Sequence, residues 1–275
     1  MIVLIEVGKK QMCGVVMQEV REPEFATKPI IKIVEQYPLP LPLIQTATWM
    51  SRYYQTHLAT VWQAILPTGI TKKRRHQESS TSSKITPHRT KNVFTKDQQS
   101  AIDKIDSISD GTVLLHGITG SGKTLVYIEA AKRALSEDLS SIILVPEIAL
   151  TSQVVTEFSC HFPNVVLVHS KQTEAQRHAA WKQVIGSHEP VVVIGPRSAL
   201  FMPVQQLGLI VIDECHEPSF KQEQSPRYSA LRAAAILASQ HEAKLILGSA
   251  TPSVTDYYYA KQSNSPIITM TKQRF

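Results

Sequence analysis

The stretch Thr112–Leu135, TVLLHGITGSGKTLVYIEAAKRAL, predicts a buried strand, a glycine-rich turn and an amphipathic helix in direct succession. The apolar run Val113–Leu115 suits a strand that is covered on both faces. Gly117, Gly120 and Gly122 then allow a turn whose backbone can approach a ligand closely. The stretch therefore predicts a strand–loop–helix unit of an α/β domain.

The segment GITGSGKT within this stretch matches the phosphate-binding pattern G-x-x-x-x-G-K-[ST] in both letters and context. Amides of such a loop point at phosphate oxygens, at the positive end of the following helix dipole. A chance match is the alternative, and the strand–loop–helix placement counts against it. We expect Lys123 to reach the β- and γ-phosphates of ATP and Thr124 to ligate Mg²⁺. The expected phosphate-loop residues are Gly117, Thr119, Gly120, Ser121, Gly122, Lys123 and Thr124.

The remainder of region 93–275 repeats this alternation of short apolar runs and amphipathic stretches. Near-continuous apolar runs that are separated by helices indicate a parallel sheet covered on both faces, an α/β doubly wound domain. The predicted strands are Val113–Leu115, Ile142–Val145, Val165–Val168, Val191–Ile194, Leu209–Ile212 and Leu245–Leu247. The predicted helices are Thr124–Leu135, Thr151–Phe162, Thr173–Ile185 and Tyr228–Ser239.

The first 70 residues have a different pattern. Three β-branched runs, Ile2–Ile5, Val15–Met17 and Ile30–Val34, predict a small β module. Residues 43–67 have helical apolar spacing and predict one or two helices. Residues 71–92 begin with KKRR and are rich in Ser, Thr and Pro, which predicts a linker and a domain boundary.

Composition limits the functional classes. The 275 residues are 43% hydrophobic and 19% charged, which is typical of a globular protein. The net charge of +6 fits a polyanionic partner such as nucleic acid, although part of it comes from one cluster at 72–75.

The three cysteines, Cys13, Cys160 and Cys215, form no C-x-x-C pair, so we expect no zinc site and no disulfide framework. Since no run approaches a membrane span, we expect a cytoplasmic, nucleoid-associated protein without membrane contact.

A second motif, LIVIDECH, ends a predicted strand with two adjacent carboxylates. Asp213 stands where a further magnesium contact is needed, and Glu214 can orient and deprotonate an attacking water. A loop of solvated charges is the alternative reading. His216 alone would more often be a packed or capping histidine, so its expected coupling role depends on the whole pattern.

A third motif, LGSATPS, again follows an apolar run. Ser249 and Thr251 at a strand tip can relay changes between the acidic pair and a bound polymer. The alternative is a turn followed by a helix that is capped by Ser253. The order of the three motifs predicts an ATP-binding lobe of a superfamily 2 helicase.

Several longer segments resemble signature segments of the PriA family of replication-restart DExH helicases: VPEIALTSQ (145–153), VHS (168–170), VVVIGPRSALF (191–201) and DECHEPSFKQEQSPRYSALRAA (213–234). The resemblance implies ATP-driven 3'-to-5' unwinding at stalled forks and loading of the replisome. It also implies that Gln98 of FTKDQ contacts adenine, while helix capping by Thr95 explains the same residues nearly as well. The implied cofactors are ATP and Mg²⁺.

The resemblance implies DNA contacts in two further segments. The segment after the acidic motif would be an aromatic-rich loop that couples DNA binding to hydrolysis. The alternative is that its rings anchor a surface loop to the core. The implied DNA-binding residues are Arg197, Ser198, Phe220, Lys221, Arg227 and Tyr228. The implied partners are forked and single-stranded DNA, a single-stranded DNA-binding protein, primosome and helicase-loader proteins, and a polypeptide that supplies a second lobe.

The N-terminal segments GKKQMCGVV and WMSRYYQTHLATVWQAILP are similar to the family's 3' DNA-end-binding domain and to the start of its winged helix. Trp49, Tyr53 and Tyr54 could instead be core residues. We expect the chain to lack the family's first strand, most of its winged helix, its zinc-binding region and its second lobe, in which the resemblance places the arginine finger. We therefore expect the chain to bind ATP and DNA but to need a second lobe for full turnover. The rival functions are a non-catalytic, nucleotide-switched DNA-binding module and another DExH translocase.

Overall fold

The computed structural model describes residues 1–70, 93–150 and 152–273. The predicted linker at 71–92 and the predicted helix start at Thr151 lie outside these residues. No helix in the described ranges is long and apolar enough to cross a membrane.

The N-terminal residues form a three-stranded antiparallel sheet of β1 (Ile2–Val7), β2 (Lys10–Val15) and β3 (Lys32–Glu35), in the order β2-β1-β3. Gly8 takes a positive φ of 63° in the turn between β1 and β2. The prediction of a strand at Val15–Met17 was wrong in its bounds, because β1 pairs with the largely exposed residues Lys10–Gly14 as well as with Val15.

Two helices follow, α1 (Leu41–Tyr53) and α2 (Leu58–Ile65). The prediction of one or two helices in this region is therefore confirmed with two. Leu43, Ala47 and Met50 are buried at helical spacing on α1. These residues share one hydrophobic core with side chains on one face of the larger sheet. The N-terminal module is therefore packed on the larger domain.

The larger domain is a seven-stranded parallel sheet with helices. Its strands are β4 (Gly111–Gly117), β5 (Ser140–Leu144), β6 (Val165–Leu167), β7 (Val192–Gly195), β8 (Leu207–Ile212), β9 (Lys244–Ser249) and β10 (Ile267–Met270). Its helices are α3 (Lys96–Asp106), α4 (Lys123–Ser136), α5 (Ser152–Ser159), α6 (Glu174–Ile185), α7 (Ala230–His241) and α8 (Val254–Gln262). The α/β prediction and its six strands and four helices are confirmed, with small shifts at their ends. Strand β10 was not predicted, and helices α3 and α8 had entered only as the helices that Thr95 and Ser253 would cap. Both residues do cap these helices, each in a capping box.

The strand order is β10-β4-β9-β8-β5-β7-β6. It places the strands of the three motifs, β4, β9 and β8, side by side. His116 pairs with Ser249, and Ile212 pairs with Leu247. The glycine-rich, SAT and acidic motifs therefore leave the sheet at neighbouring points of its carboxyl edge.

Burial of His241 at the end of α7 predicts a pH-dependent stability. Burial lowers its pKa from 6.5 to about 4, so the folded state disfavours the charged ring. Its contribution to stability is fully present above the unfolded pKa and is lost as the pH falls from about 6.5 to about 4, by up to about 3 kcal/mol. Urea unfolding between pH 7 and 4 should show a weaker loss of stability in His241→Gln than in the unmodified chain. The exposed His188, replaced by Gln, is the control; equal pH slopes in both variants would contradict the prediction.

Candidate nucleotide site and the adjoining loop

The glycine-rich loop between β4 and α4 forms a cradle of backbone amides. Gly120 and Gly122 have positive φ angles of 78° and 81°, which glycine adopts without strain. A Cβ at Gly117 would lie 2.8 Å from the hydroxyl of Ser121 and 3.1 Å from Cγ of Lys123. Gly122 caps α4 without a side-chain hydrogen bond, and the first turn of α4 has no acidic residue. The amides at this helix terminus are thus left to an anionic ligand.

Ser121 carries a further sign that a ligand belongs in the cradle. Its side chain is buried, and its hydroxyl finds no hydrogen-bond partner among the described residues. A buried hydroxyl without a partner costs about 1–3 kcal/mol. Phosphate oxygens at the loop would supply the missing acceptor. The cradle therefore fits a nucleotide phosphate.

Lys123 is buried and joins the loop to the acidic motif. Its ammonium donates to the carbonyl oxygen of Gly117 at 2.9 Å and lies 3.3 Å from Oε1 of Glu214. Glu214 takes a left-handed backbone conformation with φ 45°, which turns the chain sharply at the end of β8. The lysine is thus held between one backbone carbonyl and one carboxylate.

Asp213 is held by a residue that the motif analysis missed. The hydroxyl of Tyr127 donates to Oδ1 of Asp213 at 2.9 Å. Burial, followed by the neighbouring Glu214 charge, raises the pKa of Asp213, so this carboxylate favours a cationic ligand. Burial and Asp213 in turn raise the pKa of Tyr127, which stays protonated and can only donate to the carboxylate. The sequence signal that could have identified Tyr127 is its spacing, since it follows Lys123 by four residues and so lies on the same face of the helix.

Gly248, directly before the SAT motif, makes room for this tyrosine. A Cβ at this position would fall on the Tyr127 hydroxyl and lie 2.8 Å from the ring carbon that carries it. The carbonyl of Gly248 also accepts the amide of Cys215 at 2.9 Å. Gly248 thus controls how closely the acidic motif, α4 and β9 approach one another.

The acidic and SAT motifs are joined by side-chain hydrogen bonds. Nδ1 of His216 lies 2.7 Å from the hydroxyl of Ser249, which also accepts the amide of Thr251 at 2.9 Å. Oε2 of Glu214 accepts the amide of Ala250 at 3.3 Å. The structure therefore brings His216 and Ser249 together, while Thr251 participates through its backbone. Their expected coupling role remains a prediction.

Gln98 serves both as a helix cap and as a contact to the glycine-rich loop. Its oxygen accepts the amide of Thr95, and its backbone amide donates to the hydroxyl of Thr95, which completes a capping box. Its side-chain nitrogen donates to the carbonyl of Ser121 at 3.0 Å, and the residue is fully buried. An adenine contact by Gln98 stays a prediction, and it would require the side chain to leave these contacts.

Thr124 and Asp213 fit the expected magnesium site chemically. A hydroxyl and a carboxylate are hard oxygen ligands, and Mg²⁺ usually takes only one or two protein ligands beside phosphate oxygens and water. Within the described ranges, no group of three or more His, Cys, Asp or Glu side chains could hold a metal ion by itself. Any magnesium here would depend on the bound phosphates.

The loop of residues 217–229, called here the connecting loop, leads from the acidic motif to α7. Arg197 binds this loop through three hydrogen bonds. Its guanidinium donates to the carbonyl oxygens of Ser219 and Lys221, at 2.8 and 2.6 Å, and to the side-chain oxygen of Gln222. The same guanidinium lies 5.7 Å from the ring centre of Tyr228. Arg197 therefore determines the conformation of this loop.

Burial corrects part of the expected DNA-binding set. Phe220 is 2% exposed and Tyr228 is 4% exposed, and the Tyr228 ring packs edge-on against Phe201. A buried ring has no free face on which a base can stack, so these two rings anchor the loop instead. Ser198, Lys221 and Arg227 are exposed and stay available to a phosphate backbone. A groove of about 560 Å³ runs between the connecting loop and the segments around Glu147 and Arg197.

The family comparison agrees with this arrangement of motifs. The family model of the DEAD/DEAH box helicases matches residues 95–258, which is more than half of the chain. This chain belongs to the DEAD/DEAH box helicases. A second model, the PriA 3'DNA-binding domain (3'BD), matches residues 1–67.

Relatives in this helicase family resemble the chain over most of its length. The replication restart protein PriA of Bacillus subtilis is 40% identical over 174 residues, 62% of this chain and 22% of that protein. That of Helicobacter pylori (strain J99) is 35% identical over 257 residues, 93% of this chain and 39% of that protein. That of Rickettsia prowazekii is 31% identical over 279 residues, 98% of this chain and 41% of that protein. The chain thus spans between about a fifth and two fifths of the length of these relatives.

The contact between Gly248 and Tyr127 predicts a coupled effect on stability. Gly248→Ala should destabilise the helicase lobe by about 1–3 kcal/mol, because the new methyl group overlaps the tyrosine hydroxyl. Tyr127→Phe removes that hydroxyl and should cost about 1 kcal/mol through the lost hydrogen bond to Asp213. Because the closest overlap is then removed and only the contact with the ring carbon remains, the double variant should lose less stability in urea unfolding than the sum of the two single losses.

Gly195→Ala is the matched control. Its methyl group would meet the carbonyl oxygen of Val168 at 2.6 Å, away from Tyr127, so its cost should add to that of Tyr127→Phe. Additive costs for Gly248→Ala and Tyr127→Phe would contradict the proposed packing.

Proposed function

We propose that this chain is the ATP-binding lobe and DNA-end-binding module of a 3'-to-5' DNA helicase that acts in primosome assembly and in the restart of stalled replication forks. The observation that carries the proposal is the ion pair between Lys123 and Glu214, which joins the glycine-rich loop to the acidic motif. The match of residues 1–67 to a 3' DNA-binding domain supports DNA as the partner. The proposed location is the cytoplasm, at the nucleoid.

In the proposed reaction, the γ-phosphoryl group of ATP is transferred to water, its bond to the bridging oxygen breaks, and ADP leaves. Lys123 leaves Glu214 and neutralises the phosphates, while Thr124 and Asp213 hold Mg²⁺. Release from the lysine frees the Glu214 carboxylate to orient the attacking water and accept its proton. His216, bonded to Ser249, then passes the change to the connecting loop and to DNA.

DNA would follow the groove beside the connecting loop. Ser198, Arg197 and Lys221 line it with one hydroxyl and two cations, which suit a phosphate backbone, alongside the carboxylates of Glu147 and Glu223. Arg227 is exposed on the same loop and adds a further cation outside the groove. We propose that a second lobe, from another polypeptide or segment, supplies the arginine finger, which is worth about 10³–10⁵ in rate for related phosphoryl transfers. A single-stranded DNA-binding protein and primosome or helicase-loader proteins are the further proposed partners.

Nucleotide binding and hydrolysis by the chain test the proposal. Binding of a fluorescent ATP analogue with Mg²⁺ should weaken about 100-fold or more in Lys123→Ala, because the only buried cation at the described phosphate loop is lost. Glu214→Gln should retain binding but lower any DNA-stimulated hydrolysis by about 10²–10⁴-fold, because the general base is lost.

Lys132→Ala is the matched control, since Lys132 lies on the same helix but pairs with Glu129 away from the loop. It should bind nucleotide like the unmodified chain. Equal binding by Lys123→Ala and Lys132→Ala would overturn the assignment of the nucleotide site. Binding without turnover, followed by turnover when a second-lobe polypeptide is added, would identify the chain as half of a two-lobe motor.

A further inference from the structure

The base of the connecting loop is closed by pairing between its two ends. Lys221 and Ser229 form an isolated antiparallel bridge, and the amide of Gln222 donates to the carbonyl of Tyr228 at 2.8 Å. Lys221 also donates to the carbonyl of Arg227 at 2.8 Å. Residues 222–228 are therefore closed off by the Lys221–Ser229 pair, called here the loop base.

Tyr54 of the N-terminal module contacts both ends of this base. Its hydroxyl accepts the amide of Ser229 at 3.1 Å, and the ammonium of Lys221 lies 5.8 Å from its ring centre. The two residues that this hydrogen bond joins are 175 positions apart in the sequence. A single side chain thus joins the module that matches a 3' DNA-binding domain to the loop that follows the acidic motif.

Tyr54 is itself held firmly by its own module. It directly follows α1, and its ring packs edge-on against Tyr53 at 4.9 Å and Trp49 at 5.9 Å between ring centres. Buried residues of α1, such as Met50, anchor the helix in the shared core. A displacement of α1 would therefore move the tyrosine hydroxyl with it.

The other end of the chain of contacts reaches the nucleotide site. The amide of Phe220 donates to the carbonyl of Glu217, and the amide of Glu217 donates to the carbonyl of Glu214. His216, which lies between Glu214 and Glu217 in the sequence, forms a hydrogen bond with the hydroxyl of Ser249. The loop base that Tyr54 contacts is thus linked to the acidic motif by a short series of hydrogen bonds.

We propose that Tyr54 is a positioning residue that couples DNA occupancy of the N-terminal module to the nucleotide site through the Lys221–Ser229 base of the connecting loop. The inference rests on the proposed function, since it requires both a DNA site and a nucleotide site. Two sites are coupled when a ligand bound at one changes the affinity of the other, and the change is the same factor whichever ligand binds first. Loss of the Tyr54 hydroxyl should weaken this coupling while leaving each site intact.

The test measures coupling at equilibrium and needs no turnover. The affinity of the chain for a fluorescent single-stranded oligonucleotide with a free 3' end is measured with and without ATPγS and Mg²⁺. The ratio of the two dissociation constants is the coupling factor, expected at about fivefold or more in the unmodified chain. Tyr54→Phe should bring the factor below about twofold, with the affinity for each ligand alone changed less than about twofold.

Tyr53→Phe is the matched control. Tyr53 neighbours Tyr54 in sequence but its hydroxyl accepts from Arg232 on α7 instead of from the connecting loop. This variant should keep the coupling factor of the unmodified chain. An unchanged factor in Tyr54→Phe, or an equal loss in both variants, overturns the inference, as does a lower unfolding free energy of Tyr54→Phe without a change in coupling.

Failure of the inference and failure of the proposed function give different results. If the unmodified chain binds both ligands with a coupling factor of one, the inference is overturned and the proposed function stands. If nucleotide binding does not depend on Lys123, the proposed function falls and this inference falls with it.

Discussion

The ion pair between Lys123 and Glu214 is the interaction on which the arrangement of the site depends. It joins the start of α4 to the end of β8, two elements that are not neighbours in sequence. Because the lysine is buried, its charge needs a partner, and the Glu214 carboxylate provides one. In the proposed reaction a phosphate would take over that role and free the carboxylate, so one cation would link nucleotide binding to the release of Glu214.

The order of the strands in the sheet determines where Lys123 and Glu214 lie relative to each other. Side-by-side placement of β4, β9 and β8 brings the three motifs to one edge, and Gly248 lets the Tyr127 hydroxyl reach Asp213. The cost of burying Asp213 is reflected in its raised pKa. A bound cation would offset that cost, which explains why a carboxylate is held at a position that disfavours its charge.

The sequence allowed the motifs and the strands that carry them to be predicted, because apolar runs and glycine patterns are local signals. It did not allow Tyr127 to be recognised, since its role depends on β9 lying next to β4 and on the room left by Gly248. Strand β10 was missed because IITM is short and only partly buried. The burial of Phe220 and Tyr228 was left open for a similar reason: only tertiary packing decides whether a loop aromatic faces solvent or the core.

That burial limits which groups of the connecting loop could contact DNA. With both rings anchored, only the polar groups at its surface can meet a phosphate, and Arg197 is already engaged by two loop carbonyls and Gln222. A phosphate carries full charge and matches the guanidinium fork, so it can compete with neutral carbonyls for the same donors. Contact between Arg197 and DNA would therefore loosen the loop from one side while Tyr54 holds its base from the other. A loop restrained at two points by two different parts of the chain responds to both, and this is the physical requirement for a coupling element.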